Sequence, residues 1–183
     1  MKKALLLVDI QNDYFPGGRM ELVGMAEAAS QAQALLAVFR RRQWPTYHIQ
    51  HVSLQKGAAF FLPDTPGVEI HASIAPRRGE TIINKHFPNS FRDTGLKERL
   101  AAAEVGKLVV CGAMSHMCID ASTRSAVDHG VSCVVIHDAC ATRDLMFGET
   151  LIPARQVHGA FMAALASFYA RVISLEEFMR ALE

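Results

Sequence analysis

Short apolar runs that stop at a polar residue alternate with stripes of helical period along the whole chain. No other feature restricts the fold as much. Ala4–Val8 runs unbroken into Asp9, the pattern of a strand buried on both faces of a parallel sheet. Met25, Ala28, Ala29, Ala32, Leu35, Leu36 and Phe39 fall on one helical stripe, closed by Arg40, Arg41 and Arg42, where cations suit the negative end of the helix dipole. Further strands are expected at Thr46–His51, Thr81–Asn84, Lys107–Cys111, Val131–His137 and Arg171–Ile173. Helices are expected at Leu96–Ala103, at Ser115–His129 and from near Pro153. Ser174 and Glu177 form a capping-box pattern for a last helix. Alternating strands and helices imply right-handed βαβ units. The expected fold is α/β, a three-layer α/β/α sandwich around a mostly parallel, Rossmann-like sheet of six strands. Val52–Gly79, rich in Pro and Gly, exceeds the ~12–15 residues usual for a structureless loop. It reads as a lid, a pocket wall or a subunit contact.

The chain has 183 residues, and at ~100–200 residues per domain residues 1–183 are expected to form a single domain. Lys and Arg number 19 against 18 Asp and Glu, a net charge of +1, without the basic excess of a nucleic-acid binder. Half of the residues are hydrophobic, which excludes the disordered class. The start imitates a secretory signal, but its apolar run ends at Asp9 after five residues, short of the ~7–15 such a core needs. No stretch approaches the ~20 apolar residues of a membrane span. Cys111, Cys118, Cys133 and Cys140 lack C-x-x-C spacing and read as reduced thiols. These features predict a cytoplasmic protein that engages neither nucleic acid nor membrane.

Ligands of an open parallel sheet bind outside the carboxyl ends of its strands. The polar residues just past the expected strand ends are Asp9, His51, Lys85, the Gly112–Cys118 turn and Asp138. Cys118 follows a Gly-containing turn at the start of an expected helix, so the helix N-terminus is expected to lower its thiol pKa. Free N–H groups of that turn can serve as an oxyanion hole. Asp9 can accept the thiol proton and the Lys85 cation can favour the thiolate. Taken singly, each has a plainer reading: a buried cysteine, a turn aspartate, an exposed lysine. Their convergence on one sheet edge points to a site.

These residues also carry a resemblance. Asp9-Ile10-Gln11-Asn12-Asp13-Tyr14-Phe15, Lys85 with Asn89-Ser90-Phe91, and Gly112-Ala113-Met114-Ser115-His116-Met117-Cys118-Ile119 resemble, in order and spacing, the motifs of the isochorismatase-like cysteine hydrolases. That superfamily includes nicotinamidases and N-carbamoylsarcosine amidohydrolases. The resemblance implies Cys118 as nucleophile, Asp9 as proton carrier, Lys85 as their support, and the Met114 and Cys118 N–H groups as the oxyanion hole. It implies a cis peptide at Ala113–Met114. It implies no cofactor, a small-molecule substrate cleaved at an amide or related C–N bond, and a homo-oligomer, dimer or tetramer. Isochorismatases proper lack the cysteine.

The chain departs from the nicotinamidases at their metal site. The expected Asp-x-His is replaced by His48-Ile49-Gln50-His51, with His71 further along. On a strand, His48 and His51 point to opposite faces and cannot share an ion, so no catalytic metal is expected. Gln11, Phe15, Phe60, Phe87, Phe91, Ser115 and His116 flank the motifs and are candidate pocket residues, though core packing explains the aromatics equally and Ser115 can simply cap its helix. Two rival functions are a redox-sensing thiol protein without hydrolytic turnover and a nucleotide-binding module, for which the chain lacks a glycine-rich phosphate motif.

Overall fold

The computed structural model describes residues 1–182. Six strands, β1 (Lys2–Val8), β2 (Thr46–His51), β3 (Thr81–Lys85), β4 (Val105–Ala113), β5 (Ser132–Ala141) and β8 (Ala170–Ile173), form one sheet in the order β3-β2-β1-β4-β5-β8. All neighbouring pairs are parallel. The expected three-layer architecture is therefore the observed one. β1 and β4 are buried because helices cover both faces, which is why Ala4–Val8 needs no polar alternation.

The helices are α1 (Met25–Arg41), α2 (Leu96–Ala102), α3 (Asp120–Asp128), α4 (Ala154–Phe168) and α5 (Leu175–Arg180). The stripe expected on α1 is the buried one. On its face of the sheet Phe39 stacks with Phe178 of α5 at 6.2 Å. α3 and α4 touch each other on the opposite face. α5 begins with the expected capping box, Ser174 Oγ accepting from the Glu177 amide at 3.1 Å while the Glu177 carboxylate accepts from the Ser174 amide at 2.8 Å.

Three departures from expectation matter. The expected helix Ser115–His129 is divided: Ser115–Ile119 is a single wide turn closed by the Ile119 amide on the Met114 carbonyl at 3.2 Å, and α3 follows. Such turns concentrate at functional sites, and residue periodicity does not register them. Two short strands, β6 (Leu145–Phe147) and β7 (Thr150–Ile152), form an antiparallel hairpin, too short for a pattern to detect. Arg40 does more than complement the dipole of α1: its Nε and Nη2 grip the two Glu80 carboxylate oxygens at 2.6 and 2.8 Å.

The chain runs from β1 outward to β3 and then returns to place β4 on the other side of β1. This reversal opens a crevice at the carboxyl ends of β1 and β4. Gly112 is obligatory beside it: its φ is +121°, and a side-chain carbon there would overlap the Val8 carbonyl.

Candidate active site

Each reactive side chain sits at a strand end. Asp9 follows β1 with a left-handed backbone, φ +52°, a conformation that aspartate tolerates better than most residues. Lys85 ends β3, the outermost strand, and is paired in register with His51 at the end of β2. Its stem therefore reaches across β2 to β1. Cys118 lies in the wide turn after β4. The Ala113–Met114 peptide bond is cis. The Met114 carbonyl takes the Met117 and Ile119 amides, at 3.0 and 3.2 Å, and passes over the Cys118 N–H between them.

These groups converge on one nitrogen. Lys85 Nζ donates to Asp9 Oδ2 at 2.7 Å, to His51 Nδ1 at 2.9 Å and to Cys118 Sγ at 3.4 Å. Asp9 and Lys85 are fully buried and Cys118 is 3% exposed. Burial opposes the Lys85 charge, but Asp9 and Cys118 outweigh it and raise its pKa. The lysine is thus an ammonium with all three hydrogens engaged. Asp9 Oδ1, by contrast, is buried with no hydrogen-bond partner among the described residues. A buried lone pair beside a thiol is a ready proton acceptor.

The Cys118 thiol corrects an expectation. A helix N-terminus was reason to expect a lowered pKa; instead burial, then the Asp9 carboxylate, push it well above the ordinary thiol value, with Lys85 pulling the other way. The helix proper begins two residues later, at Asp120, and the dipole effect fades within a turn. The resting group is a neutral thiol.

Ligand atoms of Asp9, His51 and Cys118 lie within 4.8 Å of one another, a spacing that suits a metal. The Lys85 ammonium is bonded to all three, so the place of a cation is taken and these residues do not fit a resident metal ion. His48 faces elsewhere, its Nε2 2.9 Å from Glu80, and His71 stacks on Phe15 at 3.6 Å while its Nδ1 meets Ser73.

The candidate pocket residues divide. Gln11 bonds the chain at both ends of its amide, donating to His51 O (2.9 Å) and Val68 O (2.6 Å) and accepting from the His51 amide (2.8 Å). Buried Ser115 donates to Ala141 O at 3.2 Å and meets His158 Nδ1 at 2.8 Å. Both are cross-links and offer a ligand nothing. Phe15 is sealed against His71. Phe91 packs on His129, at the far end of α3 from Cys118. Phe60 is half-buried against Tyr14 (5.9 Å) and Phe61 (4.9 Å), Phe87 lies under the Arg92 guanidinium at 3.5 Å, and His116 holds Thr142 Oγ1 at 2.6 Å.

The long connection Val52–Gly79 packs beside the site, its Phe61 lying 4.5 Å from Tyr14 and 5.9 Å from His51. It contains two short 3-10 turns, Pro66–Val68 and Ala72–Ile74. Asp13 fastens it, accepting the Phe61 amide at 2.6 Å. Gly67 is needed there because any side chain would strike the Asp13 carboxylate.

Two groups escaped the sequence reading. His51 was counted among the strand-end polar residues and weighed as a metal ligand, but its engagement with Lys85 follows from strand register. Tyr14 is buried against Phe61 at 4.5 Å. Its pKa is raised by burial and then by the charges of Cys118 and Asp9; its place next to Asp13 in the opening motif was the available signal.

A parallel α/β sheet with a buried Asp–Lys–Cys cluster at its topological reversal defines a class of hydrolase-type site. The chain belongs to the isochorismatase family, whose domain model matches residues 3–177. It is 52% identical to the uncharacterized isochorismatase family protein YddQ of Bacillus subtilis over 98% of this chain and 100% of that one. It is 36% identical to a streptothricin hydrolase of Streptomyces noursei, over 78% of this chain and 51% of that one. It is 28% identical to a maleamate amidohydrolase of Pseudomonas putida, over 78% and 73%. The crystal structure of a protein from Oleispira antarctica, provisionally named an isochorismatase hydrolase, superimposes with a TM-score of 0.94 at 50% identity, over 98% of this chain and 96% of that one.

Proposed function

We propose that the protein hydrolyses the C–N bond of a small amide or carbamoyl compound through a thioester on Cys118, without a cofactor. The observation that carries this reading is the Lys85 ammonium, 2.7 Å from Asp9 and 3.4 Å from Cys118, with the second Asp9 oxygen unpartnered. Sγ attacks the carbonyl carbon as Asp9 takes its proton. The Met114 and Cys118 N–H groups hold the oxyanion. Asp9 then returns the proton to the leaving nitrogen, which departs as amine or ammonia. Water attacks the thioester, Asp9 accepts its proton and passes it to sulfur, and the acid is released. Lys85 stabilises the negative charge that moves between sulfur and carboxylate.

An amine leaves poorly without a proton, and a carboxyl group that has just taken one can supply it. The amidohydrolase named among the relatives supports the same bond. A neutral resting thiol counts against the redox-sensor alternative, because sensor cysteines are low-pKa and accessible. In this reading the protein works as one cytoplasmic domain on a small molecule, and as a homo-oligomer in which exposed Met146, Phe147 and Leu151 of the β6–β7 hairpin meet another copy.

The test is ammonia release from a panel of primary amides and carbamoyl compounds, maleamate among them, by wild type and Cys118→Ala. Release by wild type alone, with an unchanged melting curve for the variant, is the expected result. Equal release by both, or a wild type that never carries an acyl group on Cys118 by intact mass, would sink the mechanism.

A further inference from the structure

A cavity of about 640 Å³ opens at the end of the sheet away from Cys118, inside the range of about 300–1,000 Å³ usual for small-molecule sites. Thr46 and Thr81, the first residues of β2 and β3, lie in its lining. Lys85 closes β3 at the other end, four residue steps or about 13 Å away. The cavity therefore shares a strand with the crevice and none of the reacting groups.

Three arginines line it, Arg40, Arg77 and Arg78, against one carboxylate, Glu80. That carboxylate is already saturated. It accepts from Arg40 Nε and Nη2 at 2.6 and 2.8 Å, from His48 Nε2 at 2.9 Å and from the Arg77 amide at 2.9 Å. Arg40 Nη2 also donates to the Ala75 carbonyl at 2.9 Å, so the guanidinium is locked in place. Its Nη1 has no acceptor among the described residues. Arg77 and Arg78 are exposed, and among the described residues neither is in an ion pair. Glu80 thus fixes one cation without neutralising the two beside it.

Trp44 forms the wall towards a second cavity of about 600 Å³. Lys3 Nζ and the Arg42 guanidinium lie 5.1 and 5.2 Å from the centre of its ring. Cations already occupy this ring, and they add positive charge to the wall.

One arginine fork satisfies a single carboxylate. A fixed guanidinium beside two free ones matches an anion with several charges and many acceptor oxygens, which is the chemistry of linked phosphates. We propose that this cavity binds a diphosphate, free or esterified, through Arg40 Nη1 and the side chains of Arg77 and Arg78. The turn that carries Arg77–Glu80 leads directly into β3, so the bound anion ties the start of that strand to α1. The inference is independent of the chemistry assigned to Cys118.

Trp44 is the single tryptophan, so its emission reports on this cavity. Sodium pyrophosphate, titrated at constant ionic strength, is expected to change the emission saturably, whereas sodium chloride is not. ADP, followed by calorimetry, separates the two sources. ADP that binds no better than pyrophosphate assigns the phosphate groups alone, and ADP that binds more tightly assigns an ester whose organic part contacts the wall. Arg77→Gln combined with Arg78→Gln is expected to weaken pyrophosphate binding about tenfold, the scale of a lost charge-assisted contact. Arg155→Gln, an exposed arginine on α4, is expected to leave it alone. No saturable binding, or equal binding by the Arg77 and Arg78 double variant, overturns the inference. Binding that is abolished by alkylating Cys118 with iodoacetamide also overturns it, because the anion would then sit in the crevice.

Discussion

Lys85 Nζ lies 2.9 Å from His51 Nδ1, and the direction of that bond fixes the imidazole. An ammonium only donates, so Nδ1 carries the lone pair and the proton sits on Nε2. His51→Ala is expected to free one Lys85 hydrogen and let the ammonium leave the line between Asp9 and Cys118. Turnover should fall by as much as about 100-fold, the cost of misplacing a reacting group by ~1 Å, with KM little changed. His51→Asn places an oxygen near Nδ1 and should recover part of kcat. Steady-state kinetics of the three proteins decide the point, since a merely structural role would move stability and leave the two variants alike in kcat.

The same histidine sets an acid limit. Burial, then the Lys85 charge, lower its pKa from 6.5 to about 4. The folded state therefore keeps His51 neutral where the unfolded chain binds a proton. Its contribution is complete above pH 6.5 and is lost as pH falls towards 4. The loss is of order 1–2 kcal/mol, less than the full shift because the imidazole is partly solvated. Urea titrations at pH 7 and pH 4.5 should show a smaller difference in His51→Asn than in wild type.

Asp9 and Lys85 form a fully buried ion pair at 2.7 Å. Lys85→Met strands a carboxylate in the core and should destabilise by about 3–5 kcal/mol. Adding Asp9→Asn should return a large part of that loss while leaving the protein inactive. A double-mutant cycle of denaturation midpoints measures the coupling, and additive losses would show that the pair does not act as a unit.

Cys118 begins as a thiol held well above its ordinary pKa by burial and Asp9. Its alkylation by iodoacetamide should therefore climb steadily from pH 6 to pH 9, about tenfold per unit, without the plateau of a preformed thiolate. Asp9→Asn removes the opposing charge and should shift that rise to lower pH. Rate profiles of the Cys118 peptide provide the comparison.

Asp9, Lys85 and Cys118 were legible because a parallel sheet leaves few polar residues at its strand ends, and each apolar run stops visibly there. The six strands were legible for the same reason. What escaped depends on relationships between segments. His51 meets Lys85 through the register of β2 against β3, which neither strand states by itself. Gln11 and Ser115 looked like ligand contacts until their partners on the Val52–Gly79 connection, the end of β5 and α4 were in place. The sign of the Cys118 shift was missed because local sequence displays a helix start but not the depth of burial or the carboxylate brought alongside. The β6–β7 strands, three residues each, fall below any periodic signal.

Lys85 comes from β3, one of the two edge strands of the sheet, whose pairing is held from one side only. A slip of β3 by a single residue would turn Lys85 to the opposite face and leave secondary structure content almost unchanged. Such a molecule would look native in a circular dichroism spectrum and be chemically silent. Under the proposed mechanism, specific activity is expected to report on the alignment of this edge strand as well as on the reacting groups themselves.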